Sequence, residues 1–196
     1  MTKISRAVRF SVLAIFLAPL LANAGAINLS GTILQDDTIL RFQYTVQNQG
    51  PVTVSTTSFA GGGFIPILSL FDATGTYVFG FDGYANNSDA TMSWVSDAGA
   101  DYVVVLTEYD NYPLGNYLDG FSREGQGNFT TDLTGFPGPF RDPSGAQLTG
   151  DWAITFSSAD PLTAIMLPEP GTGAMMLGGL LAAIGCARRA ARKAGR

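Results

Sequence analysis

The sequence LRFQYTVQ at residues 40–47 decides the fold class. Its even positions, from Leu40 to Val46, are apolar, and its odd positions are polar. Successive side chains of a β-strand point to opposite faces of a sheet, so a period of two predicts a strand with one buried face. An amphipathic helix would instead repeat its apolar residues every three or four positions.

The rest of the central region follows the same logic. The alternation recurs at residues 152–156, and the other predicted strands are runs rich in β-branched and aromatic residues at 52–58, 67–71, 77–81, 91–95 and 102–107. Turn-forming residues separate the runs, and no helical period of useful length precedes the C-terminal region. The sequence therefore predicts an all-β fold, an antiparallel β-sandwich of jelly-roll type over residues 25–160.

The first 24 residues have the three parts of a secretory signal peptide. Lys3, Arg6 and Arg9 form a positive segment, and residues 10–21 are apolar. Ala22 and Ala24 then provide the small-x-small pattern that signal peptidase accepts. An N-terminal membrane anchor is the alternative, but the apolar run is short for a span and a cleavage pattern follows at once. We expect cleavage after Ala24.

The last 29 residues form a second export feature, after a predicted linker at 161–167. Pro168, Glu169 and Pro170 precede an uncharged stretch at 171–187. That stretch covers roughly 26 Å as a helix, just short of a hydrocarbon core of about 30 Å, so it predicts a short, glycine-rich transmembrane helix. Five basic residues follow it and would stay on the cytoplasmic side of the membrane: Arg188, Arg189, Arg192, Lys193 and Arg196. A buried helical hairpin is the alternative, against which the basic cluster argues.

The order of these parts resembles the PEP-CTERM sorting signal of Gram-negative bacteria that make extracellular polysaccharide. The resemblance covers residues 168–196. It implies that exosortase, a membrane protease, recognises Pro168, Glu169 and Pro170 and removes the tail. The inner membrane would then be only a transient partner, and the released chain would reach the cell surface or the exterior.

The central part of the chain is much more acidic than the chain as a whole, because most of the basic residues lie in the two ends. Between residues 25 and 167 there are three arginines and fifteen acidic residues, a net charge of −12 against −5 for the whole chain. Such a body is a poor partner for nucleic acid and a better one for cations. It holds no His, Lys or Cys, since Cys186 lies in the tail. Disulfides, His-based triads, thiolate nucleophiles and His/Cys zinc sites are excluded there, and we predict no catalytic residues.

A second resemblance concerns residues 38–156. The stretches at 58–64, 66–72 and 101–107 are similar to bacterial pre-peptidase C-terminal modules, and those at 109–113 and 119–121 resemble secreted PEP-CTERM proteins of unassigned function. The resemblance implies a β-sandwich, and some modules of this kind bind calcium and aid attachment to polymers.

Acidic loops supply the candidate metal ligands. Asp82, Asn86 and Asp89 lie in one loop between two strands, and Glu108 and Asp110 lie in another. Calcium takes 6–8 oxygen ligands at about 2.3–2.6 Å, which such loops can provide together with backbone carbonyls. The spacing does not fit an EF-hand, and the alternative is that these residues only form turns on a solvated rim.

Tyrosines in the second loop are candidate sugar contacts. Tyr109 and Tyr112 stand beside Asp and Asn, a combination suited to stacking on sugar rings and bonding their hydroxyls. The alternative for the aromatic residues of 108–145 is a minor core under a long loop, with Phe129 and Phe136 buried.

These patterns lead us to expect an exported, non-enzymatic structural or adhesion module associated with extracellular polysaccharide. A calcium-dependent carbohydrate-binding module is the alternative. A glycosidase needs only two carboxylates, but fifteen acids make chance pairs common. Ice binding would need a regular threonine array or a solenoid repeat, and neither is present.

Overall fold

The computed structural model describes residues 23–84 and 89–168. These residues form eight antiparallel strands with short helical segments between β7 and β8. The strands are β1 (Asn23–Thr32), β2 (Leu40–Val46), β3 (Gly50–Thr56), β4 (Pro66–Phe71), β5 (Tyr77–Asp82), β6 (Thr91–Ser96), β7 (Asp101–Glu108) and β8 (Asp151–Leu167). The prediction of an antiparallel all-β fold is confirmed for this part of the chain.

The long strand β8 organises the fold. Its first half, Asp151 to Ser158, pairs with β1 on one edge and, from Ile154, with β3 on the other. Its second half, Leu162 to Leu167, pairs with β2. The continuous order β5-β4-β7-β2-β8-β3-β6 therefore folds into two layers, with β8 running through both.

Residues 161–167, predicted to be a linker, are part of this strand. Pro161 has no N–H to donate, and the sequence around it reads as the end of a strand. The two consecutive strands β2 and β3 both lie along β8. The backbone of β2 pairs with residues 162–167, and the backbone of β3 pairs with residues 154–158. Long-range pairing thus extends the strand beyond its local signal.

The main core lies between the two layers. Phe42, Tyr44 and Leu70 meet Ile154 and Phe156 there, all of them buried. The two ends of the sheet also approach each other, because the ring centroids of Phe79 on β5 and Trp94 on β6 are 5.9 Å apart. Burial of both inner faces explains the alternation read in residues 40–47.

The outer face of β4 and β7 carries a second, smaller core. Phe71 and Val105 pack there against Ile39 and Phe121, so every residue of β4 is buried. The segment after β7 covers this face and includes a 3₁₀ turn (Tyr117–Asp119) and the short helix α1 (Phe129–Thr134). The helix was not predicted from the sequence, since six residues are too few to show a helical period.

Among the described residues, no helix is both long enough and apolar enough to span a membrane. The predicted helix at 171–187 lies outside them.

Candidate functional site

A cleft of about 370 Å³ opens where β7 ends. Its walls are Ile65 before β4, residues 108–110 at the end of β7, the last turn of α1, and the loop at 141–143. Tyr84, just after the edge strand β5, completes the rim. The volume is in the range of about 300–1,000 Å³ that is usual for small-ligand sites.

The floor of the cleft carries a buried carboxylate. Glu108 is the last residue of β7, pairs with Pro66 of β4, and is only 1% exposed. Its Oε2 has no hydrogen-bond partner among the described residues. Burial raises the pKa of Glu108 well above its usual value, the charge of Asp36 raises it further, and a backbone hydrogen bond from Ile65 opposes the rise.

Asp36 is a second fully buried carboxylate near Glu108, and its hydrogen bonds are satisfied. It accepts hydrogen bonds from the backbone N–H groups of Phe129 and Thr130, at 3.1 and 3.0 Å, and from the Thr130 hydroxyl at 2.6 Å. Asn128, at the N-cap of α1, makes no side-chain bond to the helix. Asp36 therefore caps α1 from the loop between β1 and β2.

Two tyrosines, Tyr84 and Tyr109, line the cleft, and a third, Tyr112, packs against Tyr109. The rings of Tyr84 and Tyr109 are stacked, with centroids 4.0 Å apart and planes 3° apart. Tyr112 meets Tyr109 edge-on at 6.0 Å. The Tyr112 hydroxyl donates to Asp82 Oδ2 at 2.7 Å, and Asp82 Oδ1 accepts the Tyr84 backbone N–H at 3.3 Å. One carboxylate thus positions both ends of the tyrosine cluster.

The loop that carries Tyr109 and Tyr112 is held in place by partly buried polar contacts. Asn111 is fully buried; its amide donates to the Asp37 carbonyl, and its Oδ1 accepts the Arg123 backbone N–H at 2.8 Å. Asp110 forms an ion pair with Arg123 at 2.5 Å. These contacts fix the loop before any ligand binds, which limits the entropy lost on binding.

The candidate metal ligands serve several different contacts. Asp89 accepts hydrogen bonds from the Thr56 hydroxyl and from the backbone N–H groups of Phe59 and Ala60. Asp82 bonds to the tyrosine cluster, and Asp110 bonds to Arg123. Asn86 lies outside the described residues.

Within 23–84 and 89–168, no three His, Cys, Asp or Glu side chains are grouped so that they could hold a metal ion. The structure brings Glu108 and Asp110 to the same cleft, with Tyr109 between them. Calcium binding stays a prediction of the sequence.

The sorting residues lie at or beyond the limits of the described chain. Pro168 directly follows β8, whereas Glu169, Pro170 and the basic cluster at 188–196 lie outside the described residues. Ala22 also lies outside them, and Ala24 lies in β1. Their roles stay predictions.

Two members of the site were not predicted from the sequence. Tyr84 lies in the acidic loop that was interpreted as a metal site, and an aromatic residue in that loop was the only sign in the sequence of a ligand-contacting role. Asp36 gave no signal, because its partners are 93 and 94 residues away. The expected minor core holds Phe129, but Phe136 is 49% exposed, so that part of the alternative is wrong.

Comparison with protein-family models and with curated proteins gives no match for this chain.

Proposed function

We propose that this protein is an exported, non-enzymatic module that binds extracellular polysaccharide through the cleft at the end of β7. The observation that carries the proposal is the tyrosine cluster at the mouth. The rings of Tyr84 and Tyr109 are parallel and stacked face to face, so the pair is held in position and each ring keeps one outer face, a flat apolar platform of the kind sugar rings stack on.

Polar groups beside the platform supply the second half of the recognition. Asp82 and Asp110 lie next to the tyrosines, and Glu108 lies beneath them. A sugar ring presents apolar C–H groups and hydroxyl groups together, and this cleft offers partners for both. Sites with a few placed polar groups on apolar walls are typical of small-ligand binding.

Delivery to the outside is the second part of the proposal. It rests on the signal-peptide pattern of residues 1–24 and on the sorting pattern of residues 168–196. A module sorted through exosortase would meet the polysaccharide at the cell surface, where it would act in adhesion or in the matrix.

The test is retention of the purified full-length chain on the producer's own extracellular polysaccharide, with calcium and with a chelator. We expect Tyr84→Ala to lower the affinity about tenfold, which corresponds to about 1.4 kcal/mol. Tyr84→Phe should retain binding, because it keeps the ring. Tyr77→Ala is the matched control, since Tyr77 on β5 is as exposed as Tyr84, at 41%, and lies outside the cleft.

The possible results distinguish a tyrosine-based binding surface, calcium-dependent binding and a purely structural role. Equal losses for Tyr84→Ala and Tyr77→Ala would remove the platform from the proposal. Binding that vanishes with the chelator would favour the calcium-dependent module. No retention in either condition would leave a purely structural role.

A glycosidase is the second candidate, and Glu108 is the observation that favours it. A carboxyl group with a raised pKa in a cleft is the environment of a general acid. The neighbouring carboxylate, Asp110, is paired with Arg123, which weakens it as a nucleophile or base. Release of new reducing ends from the polysaccharide, abolished in Glu108→Gln, would establish this activity.

A further inference from the structure

We infer that the cleft at the end of β7 takes the ammonium group of an amino sugar, with Glu108 as its counter-ion. The inference rests on the proposed polysaccharide-binding function and names the class of sugar. It starts from Glu108, which is 1% exposed, lines the cleft, and leaves its Oε2 without a partner among the described residues.

A buried carboxylate oxygen without a donor is costly, and most such groups in proteins are paired. Burial raises the pKa of Glu108 and favours its protonated form, but an ammonium group beside Oε2 favours the ionised carboxylate. The ammonium group and the carboxylate then form a charge-assisted hydrogen bond, which is about twice as strong as a neutral one. A hydrogen-bond donor on a bound ligand would therefore give Glu108 Oε2 the partner that the described residues do not provide.

The electrostatics of the surroundings favour a cation over a neutral hydroxyl. Asp36 adds negative potential at Glu108, and Asp110 lies at the same cleft. The basic side chain of the lining, Arg141, donates to the carbonyls of Pro137 and Gly145 rather than to Glu108. The acidic body, at −12 for residues 25–167, attracts cations toward the cleft.

The ligand set favours an ammonium group over a divalent metal. In the described part of the chain, no group of three acidic, His or Cys side chains could hold a metal ion, and calcium needs 6–8 oxygens. An ammonium group needs one carboxylate, and the faces of aromatic rings attract it as well. Tyr84 and Tyr109 stand at the mouth of the same cleft.

The sugar part of the ligand follows from the shape of the mouth. The stacked tyrosine pair presents a flat outer ring face at the same cleft as the buried carboxylate, so one ligand would stack a ring on that face and direct an amine toward Glu108. A free amine on a hexosamine joins these two features. An N-acetylated hexosamine would replace the charged donor with a neutral and larger amide.

The experiment is calorimetric titration of the full-length chain, at neutral pH and moderate salt, with three probes. These are the glucosamine tetramer, the N-acetylglucosamine tetramer and tetralysine. We expect the glucosamine tetramer to bind at least tenfold more tightly than either of the others. Moderate salt screens non-specific attraction of a polycation to the acidic surface.

Glu108→Gln should lower the affinity for the glucosamine tetramer about tenfold and leave that for the N-acetylated tetramer unchanged. Glu124→Gln is the control, because it removes the same charge from an exposed side chain outside the cleft. Equal losses in both variants would show a general charge effect and overturn the inference. The comparison of probes on the unmodified chain does not depend on how either variant folds.

The other outcomes separate this inference from the proposed function. Equal affinity for both sugar tetramers, lost in Tyr84→Ala, would overturn the amine preference and leave polysaccharide binding standing. Equal affinity for tetralysine would show that the site recognises charge without a sugar, which also overturns the inference. Retention on the producer's polysaccharide without binding of any probe would do the same, whereas failure of both assays would remove the function itself.

Discussion

Asp36 and Thr130 are fully buried and lie 94 residues apart, yet the Asp36 carboxylate accepts both the backbone N–H of Thr130 at 3.0 Å and its hydroxyl at 2.6 Å. This pair joins the loop before β2 to the start of α1. Asp36 also lies close to Glu108, where burial raises the pKa of Glu108 and the charge of Asp36 raises it further. The contact that fixes α1 in the cleft wall therefore also affects the ionisation of Glu108.

The first prediction concerns the stability that this contact provides. Asp36→Ala leaves the N–H groups of Phe129 and Thr130 and the Thr130 hydroxyl buried without an acceptor. We expect the free energy of unfolding to fall by about 2–4 kcal/mol, since each buried unsatisfied donor costs about 1–3 kcal/mol. Urea-induced unfolding measures the loss.

Asp72→Ala is the control for this variant. Asp72 also accepts three hydrogen bonds, from Thr74 and Thr76, but they lie at the surface, where water replaces the lost acceptor. A loss in Asp72→Ala as large as that in Asp36→Ala would contradict the prediction.

The second prediction concerns the pH dependence of stability, through Glu108. Its pKa is raised in the folded chain, so its contribution to stability is complete below the usual value of 4.5 and is lost as the pH rises toward the folded pKa. Glu108→Gln does not titrate. Between the two pKa values the variant should therefore gain stability over the unmodified chain by up to about 1.4 kcal/mol per pH unit.

Unfolding curves at a series of pH values from acid to neutral check this gain. Glu124→Gln should follow the unmodified chain throughout. A constant difference between Glu108→Gln and the unmodified chain at every pH would count against a raised pKa of Glu108.

The third prediction concerns a polar contact between the two layers. The Tyr44 hydroxyl on β2 accepts the Trp94 indole N–H at 2.6 Å and bonds to the Ser96 hydroxyl at 2.7 Å, both on β6. Tyr44→Phe leaves both groups without this partner, so we expect a loss of about 1–3 kcal/mol and a shifted tryptophan emission. Tyr102→Phe, which removes the hydroxyl of the ring stacked on Tyr44, should cost less because that hydroxyl only meets the Asp97 N–H near the surface.

The fourth prediction concerns a close approach of two backbone segments. A Cβ added at Gly150 would lie 1.9 Å from the carbonyl oxygen of Ile33, where the chain enters β8 beside the end of β1. Gly150→Ala should destabilise the fold by about 1–3 kcal/mol or more, as overpacking does. Gly50→Ala is the control, since its Cβ would meet only the Asp160 side chain, at 3.2 Å. Urea-induced unfolding should show a larger loss of stability for Gly150→Ala than for Gly50→Ala.

Local patterns predicted most of the strands but could not predict all of their limits. The alternation at residues 40–47 corresponds to β2, with Phe42, Tyr44 and Val46 buried in the main core. Arg41 departs from the pattern, because the segment after β7 covers the outer face and Tyr117 lies over its guanidinium at 5.5 Å. A residue's polarity does not report what a distant loop will place above it.

The site was predicted in part for the same reason. Glu108, Tyr109, Asp110 and Tyr112 are close in the sequence, so their shared loop was visible as a cluster. Tyr84 joins them only because β5 ends beside that loop in space, as its ring contact with Tyr109 shows.

The sequence by itself determined the period of two and with it a strand-based fold, because side-chain alternation is a local property of the backbone. It also determined the acidic body and the absence of His, Lys and Cys within it. Only the tertiary structure decided that Glu108, one acid among fifteen, is buried at a cleft with an oxygen that has no partner within residues 23–84 and 89–168. Burial depends on which distant segments pack together, and no local pattern encodes that choice.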